Sequence, residues 1–87
     1  MRNVLLHPDV FEGLEHWLRN DRKLLLRIME LIVDVQRDPF SGKGKPERLK
    51  FDLRGYWSRR ITKEHRLVYR VSDDVITIVS CRFHYEK

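Results

Sequence analysis

The spacing of apolar residues changes once along this chain, and that change constrains the fold more than any other feature. Between residues 10 and 35 the apolar residues recur about every 3.6 positions, which is the period of a helix with one buried face. From residue 47 onward they alternate with polar residues, which is the period of a strand. The sequence therefore predicts an α+β fold, with a short strand, two helices and then the other strands.

The N-terminal half is predicted to hold a short strand and two helices. Residues 2–6 favour a strand, and Pro8 with Asp9 is typical of a helix start. The first helix should end near Asn20, and Asp21 is a suitable cap for the second. Pro39 should end the second helix, whose apolar stripe is Leu24, Leu25, Ile28, Leu31, Ile32 and Val35. The residues expected to face away from that stripe are Arg27, Glu30, Asp34 and Arg37.

Residues 40–46 contain two glycines, a proline and two lysines, and are predicted to form a loop. Strands are then expected over 47–51, 56–61, 66–71 and 75–85. The last two strands can be joined by a two-residue or a three-residue loop. We favour the three-residue loop, which pairs Arg66 with Ser80, because it gives the helices a continuous apolar face. It also places Arg66, Ser80, Arg82 and His84 on the other face.

Size and charge narrow the classes of function. Eighty-seven residues predict one domain, spanning 1–87. No apolar run reaches the length of a membrane span, and the first residues do not resemble a signal peptide. A single cysteine excludes an internal disulfide and predicts a reducing compartment. The net charge of +5 is the sum of −1 over residues 1–40 and +6 over 41–87, which indicates a polyanionic partner.

One group of polar residues in the basic half suits cleavage of RNA. That reaction needs a base for the 2′-hydroxyl proton, a cation for the phosphate and an acid for the leaving oxygen. Glu47, Arg66 and His84 have those chemistries, and Tyr85 adds a ring or a hydroxyl. The alternatives are structural: Glu47 could pair with Arg48 or Lys50, and Arg66 with Glu64 or Asp74. His84 could equally be packed at a strand end.

Several segments together resemble the YoeB toxins of the RelE superfamily. They are Asp38-Pro39-Phe40, residues 42–47 with Leu49-Lys50, residues 57–62, residues 64–69, and the ending Cys81-Arg82-Phe83-His84-Tyr85. The resemblance covers nearly the whole chain. It implies the RelE-like fold, in which a short N-terminal strand and two antiparallel helices accompany a mostly antiparallel sheet of four or five strands. Both helices lie on one face of that sheet.

The resemblance also implies an activity, namely a ribosome-dependent endoribonuclease that cuts mRNA in the ribosomal A site and stops translation. By position, Glu47 matches the family's general base, Arg66 its phosphate-stabilising arginine, His84 a proton donor or stabiliser, and Tyr85 the terminal tyrosine. Lys50 and Arg60 match basic residues at the RNA or the ribosome. The complete set predicted to bind RNA or the ribosome is Lys43, Lys45, Lys50, Arg59, Arg60 and Arg82.

The expected partners follow from the same resemblance. They are the ribosome with its mRNA and a YefM-type antitoxin, with operator DNA bound only by the toxin–antitoxin complex, and a homodimer is possible. We expect no metal, no cofactor, no membrane association, and a place in the bacterial cytoplasm. The alternative is a module without catalytic activity that blocks translation by occupying RNA or the ribosome. A third hypothesis, a DNA-binding repressor acting alone, is weaker because the second helix is apolar over half its surface.

Overall fold

The computed structural model describes residues 1–83, and in this range five strands form one sheet with two helices. The strands are β1 (Asn3–Leu6), β2 (Glu47–Arg48), β3 (Tyr56–Arg60), β4 (Arg66–Val71) and β5 (Val75–Ser80). The helices are α1 (Pro8–Asn20) and α2 (Arg22–Arg37), and a short 3₁₀ turn spans Phe51–Leu53. The strand order is β1-β5-β4-β3-β2, with β1 parallel to β5 and the other pairs antiparallel. The predicted α+β class is confirmed.

The helix boundaries follow the capping signals in the sequence. Pro8 opens α1, and the imidazole Nδ1 of His7 accepts the amide of Asp9 at 3.2 Å. Asp21 caps α2, because its Oδ1 accepts the amide of Leu24 at 3.2 Å. These contacts satisfy amides that have no partner within a helix. The predicted helix starts are therefore confirmed, together with their physical causes.

Both helices pack on one face of the sheet, which we call the helix face. The core there combines Val10 and Trp17 of α1 with Ile28, Leu31 and Val35 of α2. The sheet contributes alternate residues, namely Leu67, Tyr69, Ile76 and Ile78. Their period-2 spacing sends the residues between them to the opposite face, which we call the open face. Arg66, Ser58 and Glu47 belong to the open face.

The predicted three-residue loop between β4 and β5 is wrong. Val71 pairs with Ile76, which leaves Asp73-Asp74 as a two-residue loop. A bulge at Val79 then shifts the register, so that Val68 pairs with Ser80. The shorter loop alone would send each side chain of β5 to the opposite face of the sheet. The extra residue in the bulge returns the residues after it to the predicted face. Ser80 consequently lies on the same face as Arg66, as predicted, although through a different register.

Two predicted strands are shorter in the structure. The strand expected over 47–51 ends at Arg48, because Phe51 adopts a φ of 57° and starts the 3₁₀ turn. The strand expected over 75–85 ends at Ser80, and residues 81–83 form a bend in which Phe83 has a φ of 64°. A left-handed backbone cannot continue a strand.

Gly13 allows α1 to approach the end of the sheet. A β-carbon added there would lie 2.6 Å from the Sγ of Cys81, which is buried. Gly13→Ala should therefore lower the free energy of unfolding, because overpacking of this kind costs about 1–3 kcal/mol. In a Cys81→Ala background the same change should instead add up to about 1 kcal/mol, since alanine is the better helix former. Chemical denaturation of the four proteins measures this, and an equal effect in both backgrounds would contradict the contact.

Candidate active site

Glu47 and Arg66 meet on the open face. Glu47 lies opposite Ser58 across β2 and β3, and Arg66 lies opposite Arg60 across β3 and β4. One guanidinium nitrogen of Arg66 donates to Oε1 of Glu47 at 3.1 Å and to Oγ of Ser58 at 3.3 Å. Three neighbouring strands therefore bring together two of the predicted catalytic residues, 19 positions apart in sequence.

The two partners differ in their exposure to solvent. The side chain of Arg66 is 16% exposed, whereas that of Glu47 is 59% exposed. The buried Ser58 hydroxyl and the strand backbone hold the arginine, and the carboxylate projects outward from it. A substrate can reach this carboxylate from solvent. A guanidinium in this position can exchange a carboxylate for a phosphate, since both offer a pair of acceptor oxygens that its donors can bind.

The basic residues predicted around this pair do not all share one environment. Lys43, Lys45, Lys50 and Arg60 are exposed. Arg82 is half-buried, with the carbons of its side chain beside Gly13 of α1 and its guanidinium 4.6 Å from the ring centre of Phe83. Arg82 is therefore directed toward α1, and its contact with RNA stays a prediction.

Arg59 is the exception among the predicted RNA-binding residues, because its side chain is fully buried. It forms an ion pair with Asp34 on the helix face. It also donates to three loop carbonyls, at 2.6 Å to Asp38, 3.0 Å to Ser41 and 3.0 Å to Lys43. The prediction that Arg59 binds RNA is wrong, since a guanidinium with all of its surface covered cannot contact a ligand.

Asp34 was expected to face away from the core, and this too is wrong. It is buried, and it accepts hydrogen bonds from Arg37, Arg59 and the amide of Lys43. The hydrogen bond from Arg37, with those from Lys43 and Arg59, holds the pKa of Asp34 well below its usual range, against the opposing effect of burial. The carboxylate therefore remains charged in the folded protein at neutral pH.

This buried pair organises the loop between α2 and β2. Tyr69 adds to it by accepting a hydrogen bond from Arg59 at 3.2 Å and donating one to the carbonyl of Pro39 at 2.7 Å. Gly42 passes so close to Asp34 that a β-carbon there would lie 2.2 Å from its Oδ2, and its φ of 123° suits glycine alone. The loop that contains Lys43 and Lys45 and precedes Glu47 is therefore held by hydrogen bonds to the buried side chains of Asp34, Arg59 and Tyr69.

His84 and Tyr85, the other two predicted catalytic residues, lie outside the described residues. Phe83, which directly precedes them, is the last residue that the structure describes. The carbonyl of Phe83 accepts the amide of Arg66 at 3.2 Å, so the chain passes Arg66 immediately before His84. This contact places the end of the described chain beside the backbone of Arg66.

Within residues 1–83 no group of three or more histidine, cysteine, aspartate or glutamate side chains is arranged to hold a metal ion. In the same range no helix is long and apolar enough to cross a membrane. The prediction that no metal is used stays a prediction.

With this geometry in view, the chain can be compared with known proteins. Residues 6–85 match a family model described as the YoeB-like toxin of bacterial type II toxin–antitoxin systems. This chain belongs to the YoeB toxin family. The resemblance seen in the sequence is confirmed, and the match includes all the residues predicted to be catalytic.

Individual YoeB relatives agree with the family assignment. The toxin YoeB of Mycobacterium bovis is 56% identical over 85 residues, covering 98% of this chain and all of the relative. The YoeB dimer of Staphylococcus aureus superposes with a TM-score of 0.88 at 46% identity, covering 97% of this chain and 98% of that one. A heterotetrameric YoeB–YefM complex from the same organism gives a TM-score of 0.86 at 45% identity, covering 98% and 99%. The RelE-like fold is thereby confirmed.

Sequence reasoning missed two parts of the site. Ser58 was not singled out, although its alternation with Trp57 and Arg59 placed it on the face of Glu47. Asp34 carried a weaker signal: it lies three residues after Leu31 and directly before Val35, at the edge of the apolar stripe of α2. A charged residue at such an edge can be recognised as buried only once its partner, here the buried Arg59, is known.

Proposed function

We propose that this YoeB-family protein is an endoribonuclease that cleaves mRNA in the A site of the ribosome. The observation that carries the proposal is the contact between the exposed carboxylate of Glu47 and the guanidinium of Arg66, in a segment of the chain that also carries exposed basic residues. Ten Lys and Arg against three Asp and Glu between residues 43 and 70 give this segment a net charge of +7, of which one positive charge, that of Arg59, is buried and paired with Asp34. Such a segment attracts a polyanion to a group that can take up a proton.

The chemistry proposed uses protein side chains as base, electrostatic stabiliser and acid. Glu47 accepts the proton of the 2′-hydroxyl, and the O2′ attacks the adjacent phosphorus. Arg66 turns from Glu47 to the non-bridging oxygens and stabilises the charge that develops there. As the bond to the 5′-oxygen breaks, His84 supplies a proton to that oxygen, with Tyr85 beside it. The products are a 2′,3′-cyclic phosphate and a 5′-hydroxyl end.

Dependence on the ribosome fits the exposure of the site. A carboxylate that is 59% exposed lies on an open surface rather than in a closed pocket that would orient a flexible RNA. Alignment of the 2′-hydroxyl with the phosphorus then has to come from elsewhere, and alignment alone can supply several powers of ten in rate. An mRNA held in the decoding centre of a ribosome would supply it.

The proposed partners extend those of the relatives. The YoeB protein of Staphylococcus aureus is found as a dimer and in a complex with YefM. We propose a YefM-type antitoxin for this chain, a homodimer as a further state, and operator DNA as a ligand of the toxin–antitoxin complex alone. The proposed location is the bacterial cytoplasm, where ribosomes and mRNA meet.

The experiment combines purified ribosomes, a defined mRNA and the protein, and maps RNA ends by primer extension. We expect new ends within the A-site codon when ribosomes are present, and an intact message when ribosomes are omitted. Translation that stops while the message stays intact would contradict the proposal. That result would favour the alternative, in which the basic face blocks the ribosome by occupancy.

A further inference from the structure

His65 holds the backbone of Phe83, the residue that directly precedes His84 and Tyr85. The amide of Phe83 donates to the imidazole Nδ1 of His65 at 2.8 Å. The carbonyl of Phe83 accepts the amide of Arg66 at 3.2 Å. Both hydrogen-bonding groups of the Phe83 backbone are therefore fixed by two consecutive residues at the start of β4.

The hydrogen bond identifies which ring nitrogen is the acceptor. A backbone amide can only donate, so Nδ1 must carry a lone pair and no hydrogen. An imidazole in this state keeps its hydrogen on Nε2. Phenylalanine in this position would preserve a ring of similar size but would offer no acceptor.

The His65 ring is itself held in place. It packs edge-on against Trp17 of α1, with ring centres 4.8 Å apart, and contacts the ring of Phe83 at 5.6 Å. The indole nitrogen of Trp17 donates to the carbonyl of Cys81 at 3.0 Å. The backbone amide of His65 donates to the hydroxyl of Thr62 at 3.1 Å in the turn before β4. The imidazole that accepts the Phe83 amide is therefore held in place by packing against Trp17, a core residue.

The backbone of Phe83 has an unfavourable conformation that other contacts must stabilise. Its φ of 64° lies in the left-handed region, which is costly for a residue with a side chain. The residue is 59% exposed, so burial of its side chain contributes little to holding this conformation. The hydrogen bonds to residues 65 and 66 are the contacts that compensate. They fix the backbone of Phe83, the last described residue before His84.

We propose that His65 is a positioning residue for the cleavage reaction, acting through the Phe83 amide to orient the segment that carries His84 and Tyr85. The inference rests on the proposed function, because it assigns His65 a part in that same reaction. His65 itself touches no reacting atom. Its effect should appear in kcat, since the basic residues that bind RNA are untouched, and displacement of a catalytic group by about 1 Å can reduce a rate about 100-fold.

Two variants separate the acceptor from the ring. His65→Phe keeps the packing against Trp17 and removes the acceptor, whereas His65→Asn gives up the ring and places a carbonyl oxygen near the position of Nδ1. His16→Phe is the matched control, because His16 packs against the same Trp17 ring at 4.7 Å, whereas the backbone groups of Phe83 bond to residues 65 and 66. The kcat and KM for cleavage of ribosome-bound mRNA, thermal unfolding and the hydrogen exchange of the Phe83 amide are measured for each protein.

We expect His65→Phe to lower kcat about 10- to 100-fold with little change in KM, and to lose protection of the Phe83 amide. His65→Asn should restore most of kcat and of the protection, and His16→Phe should match the wild type. Undiminished cleavage by His65→Phe, or equal losses in both His65 variants that follow their thermal stability, would overturn the inference while leaving the proposed function intact. A wild-type protein that fails to cleave would overturn the proposed function and the inference together.

Discussion

Replacing Glu47 with glutamine should lower the rate of mRNA cleavage on the ribosome by about 10²- to 10⁴-fold, the usual contribution of a general base. Glutamine has the same shape, and its carbonyl can still accept the hydrogen bond that Arg66 donates at 3.1 Å. The variant should therefore fold and bind ribosomes as the wild type does. What it loses is the capacity to take up the 2′-hydroxyl proton, and single-turnover cleavage with saturating protein measures that loss.

Two further variants define what this result means. Glu30→Gln removes one carboxylate from the exposed surface of α2, in the helix layer, and should cleave at the wild-type rate. Arg66→Lys keeps the charge but loses the planar pair of donors, and should cost about 10²- to 10³-fold. Wild-type rates in Glu47→Gln would contradict the role assigned to this carboxylate, even if the protein still arrested translation.

The second large effect is expected at Asp34, where the consequence is loss of stability. Asp34→Asn should lower the free energy of unfolding by about 3–5 kcal/mol, because it leaves the fully buried guanidinium of Arg59 without its counter-charge. For a domain whose total stability is about 5–15 kcal/mol, this is a large fraction. Urea denaturation of both proteins gives the difference directly. Asp73→Asn, in the exposed turn before β5, is the matched control and should be close to neutral.

The pH dependence of this difference has a definite sign. Folding lowers the pKa of Asp34, so its carboxylate adds stability that is complete above the unfolded value of about 3.9 and is lost as the pH falls toward the folded value. The gap between wild type and Asp34→Asn should therefore be constant above about pH 5 and become smaller below about pH 4. A gap that widened on acidification, or no gap at neutral pH, would contradict the role assigned to the buried pair.

The sequence was sufficient for the order of helices and strands and for the helix ends, because their causes are local. Pro8, Asp21 and Pro39 mark the helix ends, and the change of period near residue 46 separates helices from strands. The register of the last hairpin does not have a local cause, and it could not be predicted from the sequence. The apolar pattern of β5 fits two loop lengths, and only the bulge at Val79 reconciles the shorter loop with an apolar helix face.

In the candidate site, too, some features follow from the local sequence and others depend on tertiary contacts. Glu47 and Arg66 were predicted to act in one site, with ion pairs to other residues as the structural alternative, and the structure pairs the two with each other. Arg59 and Arg60 are adjacent and chemically identical, so composition cannot tell which one is buried. Alternation does place Arg59 on the face of Trp57, but its counter-ion, Asp34, comes from α2, 25 positions away. Contacts of that kind depend on how the helix is docked.

Attack by the 2′-hydroxyl can be tested with a single atom removed from the substrate. The mRNA would carry one 2′-deoxynucleotide immediately before the mapped cleavage site and would be bound to ribosomes together with the wild-type protein. We expect cleavage at that position to be abolished, and the unmodified message to give a 5′-hydroxyl and a 2′,3′-cyclic phosphate. Equal cleavage of the deoxy-substituted message, with 5′-phosphate ends, would contradict the mechanism proposed for Glu47 and Arg66.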